Sequence, residues 1–257
     1  MSKLIPLNTE THRDWKVKKD CATRFAAHQH VLNVRAAEVG FAVANMPVFV
    51  NRNAASGQYL LSAVTSFEQG NNLYVGDKGW EATWVPTMLQ TYPIFLMNAP
   101  ETEQGYAVGI SDSSDDFTTG DEEGEVLFDA EGKNSHFLDR VTSVLRDDIG
   151  RDIQTSEFLK KLDALELFKP VDIKVMYADE SVQTITGLHT LDEDKMKALS
   201  GDELKEMNEK GYLMVAHALL VSLNQLNVLV QRHNLSSGKT LIKQVKLEVA
   251  PQRDGVH

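Results

Sequence analysis

The sequence predicts an α+β protein, with a mostly antiparallel sheet in its N-terminal half, a helical C-terminal half and an inserted β-hairpin. Three patterns carry that expectation. Between residues 31 and 110, short runs rich in β-branched and aromatic residues alternate with Gly, Asn and Asp clusters of the kind that end strands. From Phe137 to Leu165, apolar residues recur at the spacing of two successive amphipathic helices. Beyond them, Val171, Ile173, Val175 and Tyr177 alternate with other residues, and a second β-like run, Val182 to Leu188, follows Ala178-Asp179-Glu180. A chain of 257 residues that is 42% hydrophobic and 25% charged can bury a large core.

Taken in order, Val31 to Val34 and Pro47 to Val50 read as strands. Ala36, Ala37, Phe41 and Ala44 lie between them at helical spacing, with Gly40 on the same face. Tyr59 to Val64, Asn72 to Val75, Tyr92 to Leu96 and Tyr106 to Ile110 complete the β-rich part. A short helix is expected from about Pro86 to Thr91, because a proline at a helix start lacks only an N–H that would have no partner there. Pro93 pushes Tyr92 out of the α region and into a strand.

The character changes at Ser135. Phe137, Leu138, Val141, Val144, Leu145 and Ile149 mark one amphipathic helix, and Phe158, Leu159, Leu162 and Leu165 a second, with Gly150 and Thr155-Ser156 near the break. After the hairpin, Leu191 to Glu209 reads as two short polar helices split near Ser200-Gly201-Asp202, with Asp202 as an N-cap. Tyr212 to Val230 is the most apolar run. It carries His217, Ser222, Asn224, Gln225 and Asn227, so a buried core helix describes it better than a membrane span. Thr240 to Val249 alternates as an edge strand would, with a helix as the alternative. The expected organisation is one domain over residues 1–257, β-rich over about 1–130 and helical over about 135–235, with no linker that would divide it.

Charge narrows the function. A net charge of −11 repels phosphate backbones and anionic lipid, so neither nucleic acid nor a membrane is an expected partner. The one basic run, Arg13, Lys16, Lys18 and Lys19, reads as a solvated face. Cys21 is the only cysteine, which excludes an internal disulfide. It reads as a small buried hydrophobe, since a nucleophile would need His28 or His30 turned back toward it. Glu10, His12, Arg13 and Asp14 interrupt the N-terminal segment before any apolar signal region develops. The expected location is therefore cytoplasmic, with surface placement only by a signal-independent export route.

No complete reactive or metal constellation is legible. In the acidic stretch Asp112 to Glu125, a calcium-loop frame puts Asp112, Ser114, Asp116 and Glu123 at ligand positions, but Phe117 stands where the sharp turn needs glycine, so a solvated loop is expected. His28 and His30 would share a face on a strand, yet no third ligand follows at a usual spacing, and no metal is expected. His217 reads as a neutral ring satisfied by one internal hydrogen bond. Ser236 to Thr240 echoes a phosphate loop but has His233 where a second glycine is required, and no dinucleotide fingerprint is present, so no cofactor is expected. Trp80, Trp84 and Tyr92 read first as core and second as the lining of a ligand pocket.

Several segments taken together resemble the SapC family of bacterial proteins along most of the chain. They are Pro6-Leu7-Asn8 with His12-Arg13-Asp14, Trp80, Trp84-Val85-Pro86, Tyr92-Pro93-Ile94-Phe95, Gly124 through Gly132, Phe137-Leu138, and the late helix with His217 followed by Ser222-Leu223. The resemblance implies a bacterial protein of about this size in a family named for a surface-array (S-layer) locus. It implies no reaction and brings no catalytic residues. Some members are encoded beside cupin-type oxygenases, flavin-dependent halogenase-like proteins and outer-membrane receptors, which implies an accessory role. The leading expectation is a non-catalytic binding or assembly protein connected with the surface layer or envelope. The alternative is an enzyme, or an accessory partner of an oxygenase- or halogenase-type enzyme, acting on a small molecule or peptide. Its pocket would involve Trp80, Trp84 and Tyr92, with polar help from His12, Arg13 or Asp14.

Overall fold

The computed structural model describes residues 4–53, 56–100, 102, 105–111, 115–120 and 122–251. In chain order its first elements are β1 (Leu4–Pro6), α1 (Thr9–His12), β2 (Lys16–Val17), α2 (Cys21–Ala27), β3 (Val31–Val34), a 3-10 turn (Ala36–Glu38), α3 (Val39–Ala42), β4 (Val48–Arg52), β5 (Tyr59–Val64), β6 (Val75–Gly76) and β7 (Gly79–Trp80). They continue with α4 (Thr87–Thr91), β8 (Ile94–Asn98), β9 (Tyr106–Ser111), β10 (Phe117–Thr118), β11 (Glu125–Val126), α5 (His136–Ala164), β12 (Phe168–Tyr177), β13 (Val182–Leu191), α6 (Glu193–Lys197), α7 (Gly201–Glu209), α8 (Tyr212–Ser222), α9 (Gln225–Leu235) and β14 (Ile242–Val249). The fold is α+β. Its contacts divide the chain into two compact units, Met1–Ala27 with Val85–Gly150, and His28–Trp84 with Arg151–His257.

The larger unit is built on a six-stranded antiparallel sheet in the order β14-β12-β13-β4-β5-β3. The hairpin β12–β13 enters beside β4 through a short register, Leu188 opposite Asn51 and His189 opposite Val50. Its turn works because Glu180 takes a left-handed φ of 70° and Asp179 accepts a hydrogen bond from the Ser181 N–H at 3.0 Å. Val48, Phe49 and Val50 are buried in succession, the mark of a strand covered on both faces. Phe158, Leu162, Met207, Leu219 and Leu229 join them in one core. β14 lies at the sheet edge, the strand rather than the helix of the two readings open for that segment.

Four local expectations are corrected here. Residues 136–164 form one helix, not two. Thr155 does not break it because its hydroxyl donates to Arg151 O at 2.6 Å within the helix and accepts the Ala36 N–H at 2.9 Å. The expected helix from Tyr212 to Val230 is two helices whose axes bend by 40° at Leu223-Asn224. There the backbone tightens to i→i−3 bonds, Leu223 N to Leu220 O at 3.3 Å and Asn224 N to Val221 O at 3.2 Å. The strand expected over Asn72–Val75 shrinks to β6, because Asn72 Oδ1 takes the Tyr74 N–H at 2.9 Å and makes a turn. The N-cap of α7 is Ser200, in a capping box with Glu203, and Asp202 lies in the first turn.

The smaller unit holds two three-stranded sheets, β1-β9-β8 and β10-β2-β11. Its core gathers Val17, Ile94, Ile110, Phe117, Leu127 and Leu138. The acidic stretch, expected as a solvated loop, folds in part. Phe117 and Thr118 pair with Val17 and Lys16 and are 9% exposed, because an aromatic ring at the loop's centre has a core to enter. Asp112, Ser114 and Asp121 of that stretch lie outside the described residues.

Candidate functional site

The feature of the larger unit best suited to a partner is a groove of about 820 Å³ beside α8. Ala36, Ala37 and Gly40 form one wall, and their small side chains leave it low; a Cβ added at Gly40 would meet nothing within 4 Å. Phe41 rises at the end of that wall and is 62% exposed. Gln154 and Glu157 of α5 form a second side, and Tyr212, Met214, Val215 and Ala218 of α8 form the third. Gly211, at φ 71°, makes the left-handed turn that brings α8 back beside α7, a conformation that favours glycine. Tyr212 is fixed at the mouth by its edge contact with Phe158, 5.2 Å between centroids, and by the Lys210 ammonium 5.8 Å from its ring. Lys210 in turn pairs with Glu206 at 3.1 Å, and that hydrogen bond holds its pKa above the ordinary lysine value. The walls are therefore apolar, with one carboxylate and one paired ammonium at the rim.

The side chains singled out in the sequence fall into both units. In the smaller, His12 is 2% exposed; its Nδ1 lies 3.1 Å from both the N and O of Asn8, and its ring meets the Trp15 ring edge-on at 4.8 Å. Arg13 donates to Ala130 O at 2.5 Å, and Asp14 is exposed. Tyr92 stacks on Phe25 at 4.2 Å and donates its hydroxyl to Asp116. In the larger unit, Trp80 and Trp84 are brought together, the Trp80 indole N–H donating to Trp84 O at 2.7 Å, and both pack against the core.

Asp116 shows why the acidic stretch takes this form. Besides the Tyr92 hydroxyl it accepts from Arg24 at 3.0 Å, so the carboxylate at a would-be calcium position already has hydrogen-bond donors from the protein itself. Burial, and then the hydrogen bond to Asp116, push the Tyr92 hydroxyl well above the ordinary tyrosine range. The basic run is spent in the same way: Lys16 donates to Gly120 O at 2.6 Å and Glu122 O at 3.2 Å, and Lys19 pairs with Glu123 at 2.7 Å. Cys21 is buried beside this network, and desolvation pushes its thiol up to about 11, far from the reactive thiolate range. His28 and His30 lie in the connection between α2 and β3 rather than on a strand. His217, placed by its apolar surroundings in a buried helix, is exposed; its Nδ1 bonds Leu213 O at 2.7 Å. Among the described residues no group of three or more His, Cys, Asp or Glu is placed to hold a metal ion.

The described residues form an α+β chain whose larger unit carries an open apolar groove beside α8. The SapC family model matches residues 7–229, most of the chain, and the chain belongs to that family. No curated protein and no solved structure matches it.

Proposed function

We propose that this SapC-family chain is a non-catalytic binding or assembly protein, and that it holds an apolar segment of a protein partner in the groove beside α8. The observation that carries the reading is the pair Phe41 and Met214, which line the groove while 62% and 77% exposed. Large apolar side chains left in water at a concave site forgo roughly 1.5–3 kcal/mol each that a partner would recover. A surface-layer or envelope setting is part of the proposal, supported by the locus for which the family is named, with the chain in the cytoplasm and signal-independent export as the route for any surface role. The test is affinity capture with the full chain against Ala218→Trp, which fills the groove, and Phe41→Asp, which charges its wall. A partner held by the parent chain and lost with both variants, at unchanged circular dichroism, is the expected result. A partner retained by both overturns the groove as the binding surface, and recovery from the soluble cytosol alone overturns a structural role at the surface.

A second reading is favoured by one number. The groove's volume of about 820 Å³ lies inside the ~300–1,000 Å³ range of small-molecule sites. An accessory protein that presents a small apolar molecule or peptide to an oxygenase- or halogenase-type enzyme would use the same walls. Native mass spectrometry of the chain purified from its own host distinguishes the two, since a co-purifying small molecule displaced by Ala218→Trp supports the accessory role.

A further inference from the structure

The exposed apolar residues of α8 and α9 follow a rule. Met214, Val221, Val228 and Leu235 are 77%, 60%, 36% and 85% exposed, and each stands seven residues after the last. Seven residues return a helix to within about 20° of the same direction. Leu223 and Asn224, at the bend, keep right-handed helical angles (φ −60°, ψ −24° and φ −62°, ψ −23°), so the repeat continues from one helix into the next. The opposite face is committed to the larger unit's own core through Ala216, Leu219, Leu226 and Leu229. These two helices therefore carry an inner apolar face that the fold uses and an outer apolar stripe that it leaves in water.

We infer that the stripe is the contact between two copies of this chain, paired antiparallel about a two-fold axis near Asn224. This rests on the binding and assembly reading above and names a second copy of the chain as the partner for a stripe that meets the groove at Met214 and Phe41. Evenly spaced residues satisfy such an axis: Met214 of one copy meets Leu235 of the other, and Val221 meets Val228. No charged side chain occurs from Gly211 to Gln231 in a chain of net charge −11, so the strip itself carries no like charges to oppose self-association. The ends choose the direction. Residues 201–210 hold Asp202, Glu203, Glu206 and Glu209 against Lys205 and Lys210, whereas residues 232–243 hold Arg232, Lys239 and Lys243 with no acid. Counting ion-pair partners, Lys161 at the first end and Glu68 and Glu81 at the second, the ends keep opposite signs. Antiparallel pairing sets acidic on basic; parallel pairing sets like on like. At about 100 Å² per side chain, the stripe and Phe41 offer roughly 500 Å². Exposed His217, Asn224 and Gln231, each three residues further along than a stripe residue, widen it toward the ~800 Å² that one partner of a stable interface contributes. A lipid surface fits less well, because no lysine or arginine within the strip would meet lipid phosphates.

Sedimentation equilibrium of the full chain at up to about 100 μM tests the inference. The expected species has twice the 28.7 kDa mass of one chain. Val221→Glu should raise the dissociation constant at least ~100-fold, because each two-fold interface loses the contact twice. Ile153→Ser, an exposed apolar change on α5 outside the stripe, should leave it unchanged. Mixing Val221→Cys chains with Val228→Cys chains under mild oxidation should cross-link the mixture in preference to either alone. A monomer throughout, or a dimer indifferent to Val221→Glu, overturns the inference and leaves the groove to its own capture experiment with Ala218→Trp. Flotation with phosphatidylglycerol vesicles that depends on Val221 overturns it in favour of a lipid surface, and preferential like-with-like cross-linking overturns the antiparallel arrangement.

Discussion

Ser222 is a polar residue in the most apolar helix of the chain, and its removal gives the sharpest test of how that helix is attached. The side chain is 0% exposed. Its hydroxyl accepts the Val48 N–H at 3.0 Å and donates to Leu219 O at 2.6 Å, with Val48 O at 3.3 Å as a second acceptor. Val48 pairs with Ala63 on β5, but β13 reaches only as far as Asn51 and Val50 on the other side, so Ser222 takes the place of a missing strand there. Ser222→Ala removes the acceptor and leaves a buried N–H alone, at a cost of about 2 kcal/mol within the usual range of ~1–3. Leu219 O also loses the hydroxyl as a donor, because the Leu223 N–H that would reach it in a regular helix goes to Leu220 O at 3.3 Å. For a chain of this size about 2 kcal/mol corresponds to a fall in Tm of roughly 4–8 °C. Urea unfolding measures the same quantity, and amide exchange at Val48 should accelerate by at least ~10-fold if the loss is local to β4. Ser222→Cys, which keeps a weak acceptor, should fall between the two. A Ser222→Ala protein within about 0.5 kcal/mol of the parent, with Val48 exchange unchanged, would refute the assignment of Ser222 as a surrogate strand partner.

Other perturbations follow from single residues. Gly150 sits inside the continuous helix α5 with no atom within 4 Å of a would-be Cβ, so Gly150→Ala should stabilise the chain by up to about 1 kcal/mol in urea unfolding; a neutral or negative result would indicate that the helix is interrupted there. Burial pushes the Tyr74 hydroxyl up to about 12 from an ordinary 10.0, so the fold favours the protonated form. The stability linked to it is complete below pH 10 and is lost as pH rises toward about 12, and Tyr74→Phe should flatten the stability curve across that window. An unaltered slope would remove Tyr74 as its source. Calorimetry with calcium should show no binding tighter than about millimolar, because Asp116 already accepts from Tyr92 and Arg24; a micromolar site abolished by Asp116→Ala would overturn that account.

Much of the secondary structure is legible in residue order. Val31 to Val34, Tyr59 to Val64, the hairpin around Asp179 and the edge strand near the C-terminus all emerge from local alternation and turn chemistry. Some differences are local, as where Asn72 takes the Tyr74 N–H, but three turn on a polar side chain whose partner is distant in sequence. Thr155 reads as a helix breaker until the Ala36 N–H, 119 residues away, is seen to occupy its hydroxyl. Ser222 reads only as one of the polar groups that argue against a membrane span and proves to be the anchor of its helix to β4, 174 residues away. Asp116 reads as part of a solvated loop until Tyr92 and Arg24 are placed beside it. A sequence states which groups need partners, but long-range pairing decides who supplies them.

The surface features were concealed for a different reason. Hydrophobic periodicity locates a buried face by contrast with a polar one, and α8 has little contrast: Met214 and Val221 face water while Ala216 and Leu219 face the core, and all four are apolar. Composition alone therefore assigns the whole helix to the interior. Only the sheet, by covering one side of α8 and α9, separates the residues that the fold uses from those it leaves for another molecule. The seven-residue spacing of the exposed set was present in the sequence, yet it acquires meaning only once the bend at Leu223-Asn224 is known to preserve helical angles across it. Had the two helices been joined by an extended linker, the same spacing would have scattered Met214 and Leu235 over different directions. The case for a contact surface thus depends on the backbone at those two residues as much as on the four side chains.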